Sequence, residues 1–345
     1  MTERTVWVGA YTTLSETPSA GITAMTRLAD GGLEVVGTAV EAPDPSYLLR
    51  DPRRRDIVYA VDEGGRGVQS FRRTSEHRLE PIGWVATNGD YPCHLGFRES
   101  RAGAFLDVSC YGDGGVVVHP VDDDGRIGEP VQTLAGTGSG PHAEQDGPHA
   151  HSTLRVDGLV LSADLGSDDV HVHEVRSDGM LDRVDSLRLP AGTGPRDLIR
   201  HPSGAVWVLG EHGKTVTVLV PIARGFRLGE TVPLAPHAQL GDVAADQAAA
   251  LSVSADGTRA FAGLRGSNRI AVLAADLDDA SPHPVGTFDA AVEWPRHHLL
   301  EVDIVHVAGE RSNTVVSLRL DPLTDGAALI GAPVPVAAPT FLLPA

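Results

Sequence analysis

Two histidines, four arginines and several carboxylates stand where loops of this chain meet short apolar runs. Gly147-Pro-His149-Ala-His151-Ser152 carries His149 and His151, Gly192-Thr-Gly-Pro-Arg196 carries Arg196, and Trp294-Pro-Arg296-His297 carries Arg296. A second set follows the apolar runs: Asp62 with Glu63, Asp164, Glu211, Arg265, and Glu310 with Arg311. Imidazole exchanges protons near neutrality, guanidinium offers paired donors to an anion, and a carboxylate serves as base or counter-charge. Brought to one rim, these residues make an acid–base and anion-binding site.

The elements that must bring them there form a repeat. Short strand-like runs begin at Val6, Ile57, Ala104, Leu159, Ala205, Ala260 and Ile304, so the unit is roughly 49 residues long. A polar loop and a second alternating strand follow, as in Val116–Val121, Val170–Val175, Thr215–Val220 and Thr314–Leu320. Alternation of period two between Gly/Asp turns predicts antiparallel strands. Asp122–Gly125 and Ser177–Gly179 read as turns joining the third and fourth strands of a unit. No window carries a sustained helical period. Four strands per unit and seven units predict an all-β, seven-bladed β-propeller of four antiparallel strands per blade, one domain over residues 1–345.

Each unit opens with a strand just upstream of its run, at Pro45, Pro92, Pro148, Pro195 and Pro295, and at Ala249 without the proline. The first unit lacks this copy at the N-terminus, and Pro339-Thr-Phe-Leu-Leu supplies it at the other end. The C-terminal strand is therefore expected to complete the N-terminal blade, leaving no open edge. In such a blade the loop entering the innermost strand and the loop leaving the second strand share one end. Both residue sets then converge on one mouth of the central channel.

Composition bounds the partners. The 28 Lys plus Arg against 46 Asp plus Glu give a net charge of −18, which argues against nucleic acid and against anionic membrane surfaces. No apolar run reaches the ~20 residues of a membrane helix, and Met1–Thr5 opens no leader-like pattern, so a cytoplasmic protein is expected. Cys93 and Cys110 make neither a disulfide framework nor a zinc site and read as buried or half-buried thiols. His142, Glu144, Asp146, His149 and His151 have ligand chemistry within ten residues, but their spacing matches no recognised pattern; no metal and no cofactor are expected. Asp122–Asp124 lacks the later Glu of a calcium loop. Arg53–Arg55 reads as a solvated turn, and His171 with His173 as one face of an outer strand in packing or solvent.

The chain resembles the seven-bladed lactonase family, which includes cycloisomerase-type 6-phosphogluconolactonases and a fungal carboxymuconate-lactonizing enzyme. The matching segments are Val8-Gly-Ala-Tyr-Thr12 with Gly21-Ile22, Pro148-His-Ala-His-Ser152, Ala163-Asp-Leu-Gly166 with Asp168, and Gly194-Pro-Arg196 with His201-Pro-Ser-Gly204. Glu211 with Thr215-Val216, Ser254-Ala-Asp-Gly257 and Arg265-Gly266 complete the set. The resemblance implies His151, Arg196, Glu211 and Arg265 as catalytic residues. His149, Arg296, Arg311, Asp164 and Glu63, on the same mouth, are the expected substrate-binding residues. Gly210, Asp197, Leu264 and Ala250 stand where the family carries Asn, His, Asn and Glu.

The implied activity is metal-independent hydrolysis of a sugar lactone, specifically 6-phosphogluconolactone to 6-phosphogluconate in the pentose phosphate pathway; a closed propeller is by default expected to be a monomer. Either Glu211 or His151 takes the water proton; Arg196 and Arg265 face the oxyanion and an anionic substituent. A phosphate needs further cations, for which Arg296 and Arg311 are the candidates. Two alternatives stand beside this: a muconate-type lactonizing enzyme, and a non-enzymatic interaction scaffold. A quinoprotein propeller is disfavoured, because four Trp are too few for docking motifs in every blade.

Overall fold

The computed structural model describes residues 4–236, 246–276, 281–321 and 323–345. Met1, Thr2 and Glu3, read above for a leader, lie outside the described residues. The described strands form seven four-stranded antiparallel sheets arranged in a ring. No described helix is long and apolar enough to cross a membrane.

Six blades are continuous in sequence: Leu48–Ala86, Pro92–Leu134, Ala150–Arg188, Pro195–Pro233, Ala248–Asp289 and Pro295–Pro335, called the second to seventh below. The first combines Thr5–Ala10, Gly21–Arg27 and Leu33–Glu41 with Pro339–Pro344 as its innermost strand. The closure expected from the sequence is therefore present: Val6 pairs with Pro344, Trp7 with Leu343 and Val8 with Leu342. Innermost strands touch their neighbours all round the ring.

The burial pattern explains why the seven runs were so visible. The second strand of each blade packs on both faces, so Thr5–Ala10, Ile57–Asp62 and Ile304–Gly309 are buried throughout. Outermost strands such as Leu181–Arg188 alternate and face solvent. The apolar core is accordingly divided into seven clusters, one at each interface between adjacent blades. Trp207 packs between the fifth and sixth blades, and Trp7 between the first and second.

Two devices shape the loops at the mouth. The turn from second to third strand recurs with one left-handed residue, at Arg66, Asp168, Lys214, Asn268 and Asn313, with φ between 51 and 59°; the third blade uses Gly114 at φ 70°. Buried carboxylates clamp neighbouring loops through backbone N–H groups. Asp44 Oδ1 accepts from Thr12 N and Thr13 N at 2.7 and 2.9 Å, and Asp246 Oδ1 from Gly266 N and Ser267 N at 2.9 and 3.2 Å. Asp168 accepts from Gly192 N and Gly194 N, both at 2.7 Å. Much of the acidic charge near the mouth is thus structural.

One surface expectation changes, and one left open between packing and solvent is decided for packing. Arg53 pairs with the buried Asp51 at 2.9 Å and stacks over Phe97, while Arg53 and Arg54 donate to the carbonyls of Asp122 and Asp123. This run bolts the second blade to the hairpin of the third and is not merely solvated. His171 and His173 are buried packing residues, bonded to Ser186 and Ser162 at 2.8 Å each.

Candidate active site

A recurring irregularity places the functional side chains. Each of six innermost strands slips register directly after its first paired residue: Pro92/His94, Ala150/Ser152, Pro195/Asp197, Ala248/Leu251, Pro295/His297, and opposite Gly9/Ala10 for Pro339/Phe341. A bulge frees one residue from the ladder and re-aims its side chain. The freed residues are Cys93, His151, Arg196, Ala249 with Ala250, Arg296 and Thr340. All of them line one cavity of about 460 Å³ in the channel, and Ser46 supplies the second blade's member.

The next ring outward is the residue after each second strand: Tyr11, Glu63, Tyr111, Leu165, Glu211, Arg265 and Glu310. In every case its backbone N–H is bonded to a carbonyl of an entering loop, which fixes these seven positions alike.

The two rings form two buried ion clusters. In the first, Glu211 sits between two guanidinium groups, with Arg265 Nη2 at 2.7 Å from Oε1 and Arg196 Nη1 on Oε2. Arg196 Nε donates to the Ala249 carbonyl at 2.7 Å, and its Nη2 has no hydrogen bond among the described residues. Burial pushes the Glu211 carboxyl up, but Arg265 and Arg196 outweigh it and hold it below the usual carboxylate range. Burial lowers Arg265 to about 10 against the pull of Glu211, so it stays charged at neutral pH.

In the second cluster, Arg296 Nη2 donates to Tyr11 Oη at 2.6 Å and pairs with Glu310 at 3.3 Å. Tyr11 Oη donates to Glu63 Oε1 at 3.2 Å, and Ser46 Oγ donates to Glu63 Oε2. Burial raises the Glu63 carboxyl despite Arg296, Ser46 and Tyr11.

His151 faces the cavity between the clusters, with Tyr111 edge-on at 6.0 Å. Its ring has no hydrogen bond among the described residues. Burial, reinforced by Arg196, drops it well below the usual imidazole range, so it is neutral at physiological pH. Burial likewise pushes the Cys93 thiol well above its ordinary value.

His151, Arg196, Glu211, Arg265, Arg296 and Glu63 therefore come together. His149 and Asp164 do not. The inner strand of the fourth blade starts at Ala150, two residues later than the Pro148 alignment implies, so His151 takes the bulge. His149 instead stacks on Tyr111 and bonds its carbonyl through Nδ1 at 2.6 Å. Asp164 is a loop clamp: Oδ1 accepts from His149 N, Gly166 N and Ser167 N at 2.8, 3.1 and 3.2 Å. The loops are so close here that a Cβ on Gly166 would lie 1.8 Å from the Gly147 carbonyl.

Arg311 lies one position further out. Its guanidinium sits 3.3 Å from the Trp294 ring centroid, with no ion pair among the described residues, in a vestibule shared with His142, Glu144, His212, Asp246 and Gln247. The gathering of arginines is thus more nearly neutral than the sequence suggests. Arg196, Arg265 and Arg296 are matched by Glu211, Glu63 and Glu310, which leaves Arg311 as the free cation among these mouth arginines. Of the departures from the family pattern, Asp197 accepts from Leu251 N at 3.0 Å and clamps two inner strands, while Ala250 is cavity wall. Tyr11, Ser46, Cys93, Tyr111 and Thr340 were not singled out from sequence. Their signal was positional: the residue after each opening proline, and the residue after each apolar run.

The family description "Lactonase, 7-bladed beta-propeller" matches residues 5–344. A 6-phosphogluconolactonase of Formosa agariphila is 29% identical over 92% of both chains, and one of Bacillus subtilis is 27% identical over 76% of both. The crystal structure of a periplasmic gluconolactonase of Pseudomonas aeruginosa superposes with a TM-score of 0.89 at 27% identity, covering 98% of each chain. With its ring of seven blades and a match running nearly end to end, the chain belongs to the seven-bladed β-propeller lactonase family.

Proposed function

We propose that the channel cavity hydrolyses a sugar lactone, with 6-phosphogluconolactone as the substrate and 6-phosphogluconate as the product. The observation that carries this is the neutral, unbonded His151 sharing one cavity with Arg196, whose guanidinium belongs to the Arg196–Glu211–Arg265 cluster behind the cavity wall. Both Glu211 oxygens are held by guanidinium groups, which suits it to aligning Arg196 and Arg265 and not to taking a proton. His151 is the base of the reading. It removes a proton from water as the water oxygen attacks the lactone carbonyl. Arg196 Nη2 and the Arg265 guanidinium donate to the oxyanion of the tetrahedral intermediate. Collapse breaks the acyl–oxygen bond, and the imidazolium returns its proton to the departing ring oxygen. The new carboxyl group ionises in water. Tyr11 and Glu63 hold Arg296 against the cavity wall, and Arg311 stands outside to meet a phosphate.

The pairing of Arg296 with Tyr11 and Glu310 favours a second substrate, the unphosphorylated gluconolactone, since the inner cavity then offers little uncompensated charge. Decay of both lactones followed by NMR, against spontaneous hydrolysis and against His151→Ala, tests the assignment. Wild-type acceleration lost by a factor of about 10²–10⁴ in a folded His151→Ala protein is the expected result. Full turnover by that variant rejects His151, and no acceleration of either lactone rejects the activity.

A further inference from the structure

We propose that His142, Glu144 and His212 form a divalent transition-metal site of the zinc class in the vestibule above Glu211. It would have three protein ligands and an open coordination position. One ligand atom from each residue lies within 4.8 Å of the others. The imidazole rings of His142 and His212 are stacked, 3.9 Å apart between centroids and 13° from parallel, so His142 must turn out of the stack for both in-plane lone pairs to reach one ion. The independent observation is His212 itself. Its side chain is only 2% exposed, it lines the vestibule, and neither ring nitrogen has a hydrogen-bond partner among the described residues.

Buried polar atoms in proteins are satisfied by something. A cation that takes nitrogen and oxygen donors would satisfy one of the two orphaned nitrogens of His212 and at the same time meet the facing imidazole and carboxylate. His212 Nδ1 is 4.0 Å from Glu144 Oε2. His142 Nδ1 accepts the Glu144 backbone N–H at 3.2 Å, a long bond that a metal would replace, leaving Nε2–H outward. Gln247 Nε2 donates to Glu144 Oε2 at 2.8 Å and orients the carboxylate from behind, as partners of metal ligands do. Bonds of about 2.0–2.2 Å require the ligand atoms to draw together by roughly 1.5 Å. His142 and Glu144, both exposed and on one loop, are the residues that would make that movement, while the His212 side chain stays buried.

The pattern was invisible in sequence because the third ligand lies 68 residues beyond Glu144 and joins the cluster only through the ring of mouth loops. Asp146, His149 and His151, next to the first two ligands in sequence, take no part. The open position faces the vestibule that also holds Arg311. An anionic oxygen of a bound ligand would find metal and guanidinium together there.

Metal binding is read without turnover, so its outcome is separate from the lactonase reading. Chelator-treated protein is titrated with Zn²⁺ by calorimetry, and with Co²⁺ by visible absorption for nitrogen ligation. Ni²⁺ quenching of Trp294, which lines the same vestibule, gives a local signal. The expected result is one equivalent bound by wild type, and affinity at least about tenfold weaker in His142→Ala, Glu144→Gln and His212→Ala. His142 and Glu144 are exposed, so their variants keep the test intact should His212→Ala fail to fold. No saturable binding, or binding undiminished in the His142 and Glu144 variants, overturns the proposal.

Discussion

Replacing Glu211 by Gln separates the two roles open to this residue. The carboxylate is buried and paired on both oxygens, with Arg265 at 2.7 Å and Arg196 on the other side. At an effective dielectric near 20, each pair at ~4 Å contributes about 4 kcal/mol of attraction, offset by desolvation and by repulsion between the two guanidinium groups. Gln removes the attraction and leaves the repulsion and the burial. Removing one partner of a buried pair typically costs about 3–5 kcal/mol. For a chain of 345 residues, at about 2.1 cal/mol/K per residue, that lowers Tm by roughly 4–7 °C. The variant should lose one to three powers of ten in kcat, because Arg196 and Arg265 no longer point at one oxyanion. The pH profile carries the sharper information. The Glu211 charge raises the His151 pKa, whereas Arg196 lowers it. With His151 as base, the acid limb of kcat/KM survives in Glu211→Gln and moves to lower pH. An acid limb that disappears makes Glu211 the base, and a Tm within about 1 °C of wild type refutes the account of the ion cluster.

Asp164→Ala should lower stability by about 2–3 kcal/mol in urea unfolding, because it strands the N–H groups of His149, Gly166 and Ser167. KM should stay within about twofold of wild type, and a large KM increase without loss of stability would restore Asp164 as a substrate contact. Burial lowers His94 and His173 to about 3 and His298 to about 4. Their unfolded pKa is near 6.5, so this stability is full above about pH 6.5 and is lost as pH falls towards the folded values, by up to about 1.4 kcal/mol per pH unit for each histidine. A urea midpoint that does not fall between pH 7 and pH 5 contradicts that. Truncation before Pro339 removes the innermost strand of the first blade together with buried Leu342 and Ala345, exposing the edge of Thr5–Ala10. Loss of cooperative melting and aggregation in light scattering are expected; a monomeric protein with unchanged Tm would show the closure to be dispensable.

The blade count, strand order and terminal closure were legible because they follow from local periodicity. A second strand packed on both faces must be apolar throughout, and seven such runs at nearly constant pitch leave few ways to arrange them. The mouth was legible for a related reason: in antiparallel blades, chain direction alone says which loops share an end. Arg196, Glu211, Arg265, Arg296 and Glu63 were found that way, and resemblance to the lactonases picked out His151.

What lies between those residues belonged to the tertiary structure. Strand order alone could not tell His149 from His151, because a slip of two residues at the start of one strand decides which is freed by the bulge. It could not tell a clamp from a ligand, because Asp164 and Glu211 are both acids at the end of a second strand. Backbone N–H groups surround one, and two guanidinium groups, one from its own blade and one from the next, hold the other. Nor could composition show that the arginines at the mouth are mostly cancelled by glutamates, since those pairs join residues 14 to 54 positions apart, within a blade for Arg196–Glu211 and Arg296–Glu310 and between blades for Arg265–Glu211. Periodicity is a property of neighbours along the chain and survives in one dimension. Charge compensation, bulge register and the orphaned nitrogens of His212 are properties of neighbours in space, and exist only once the ring has closed.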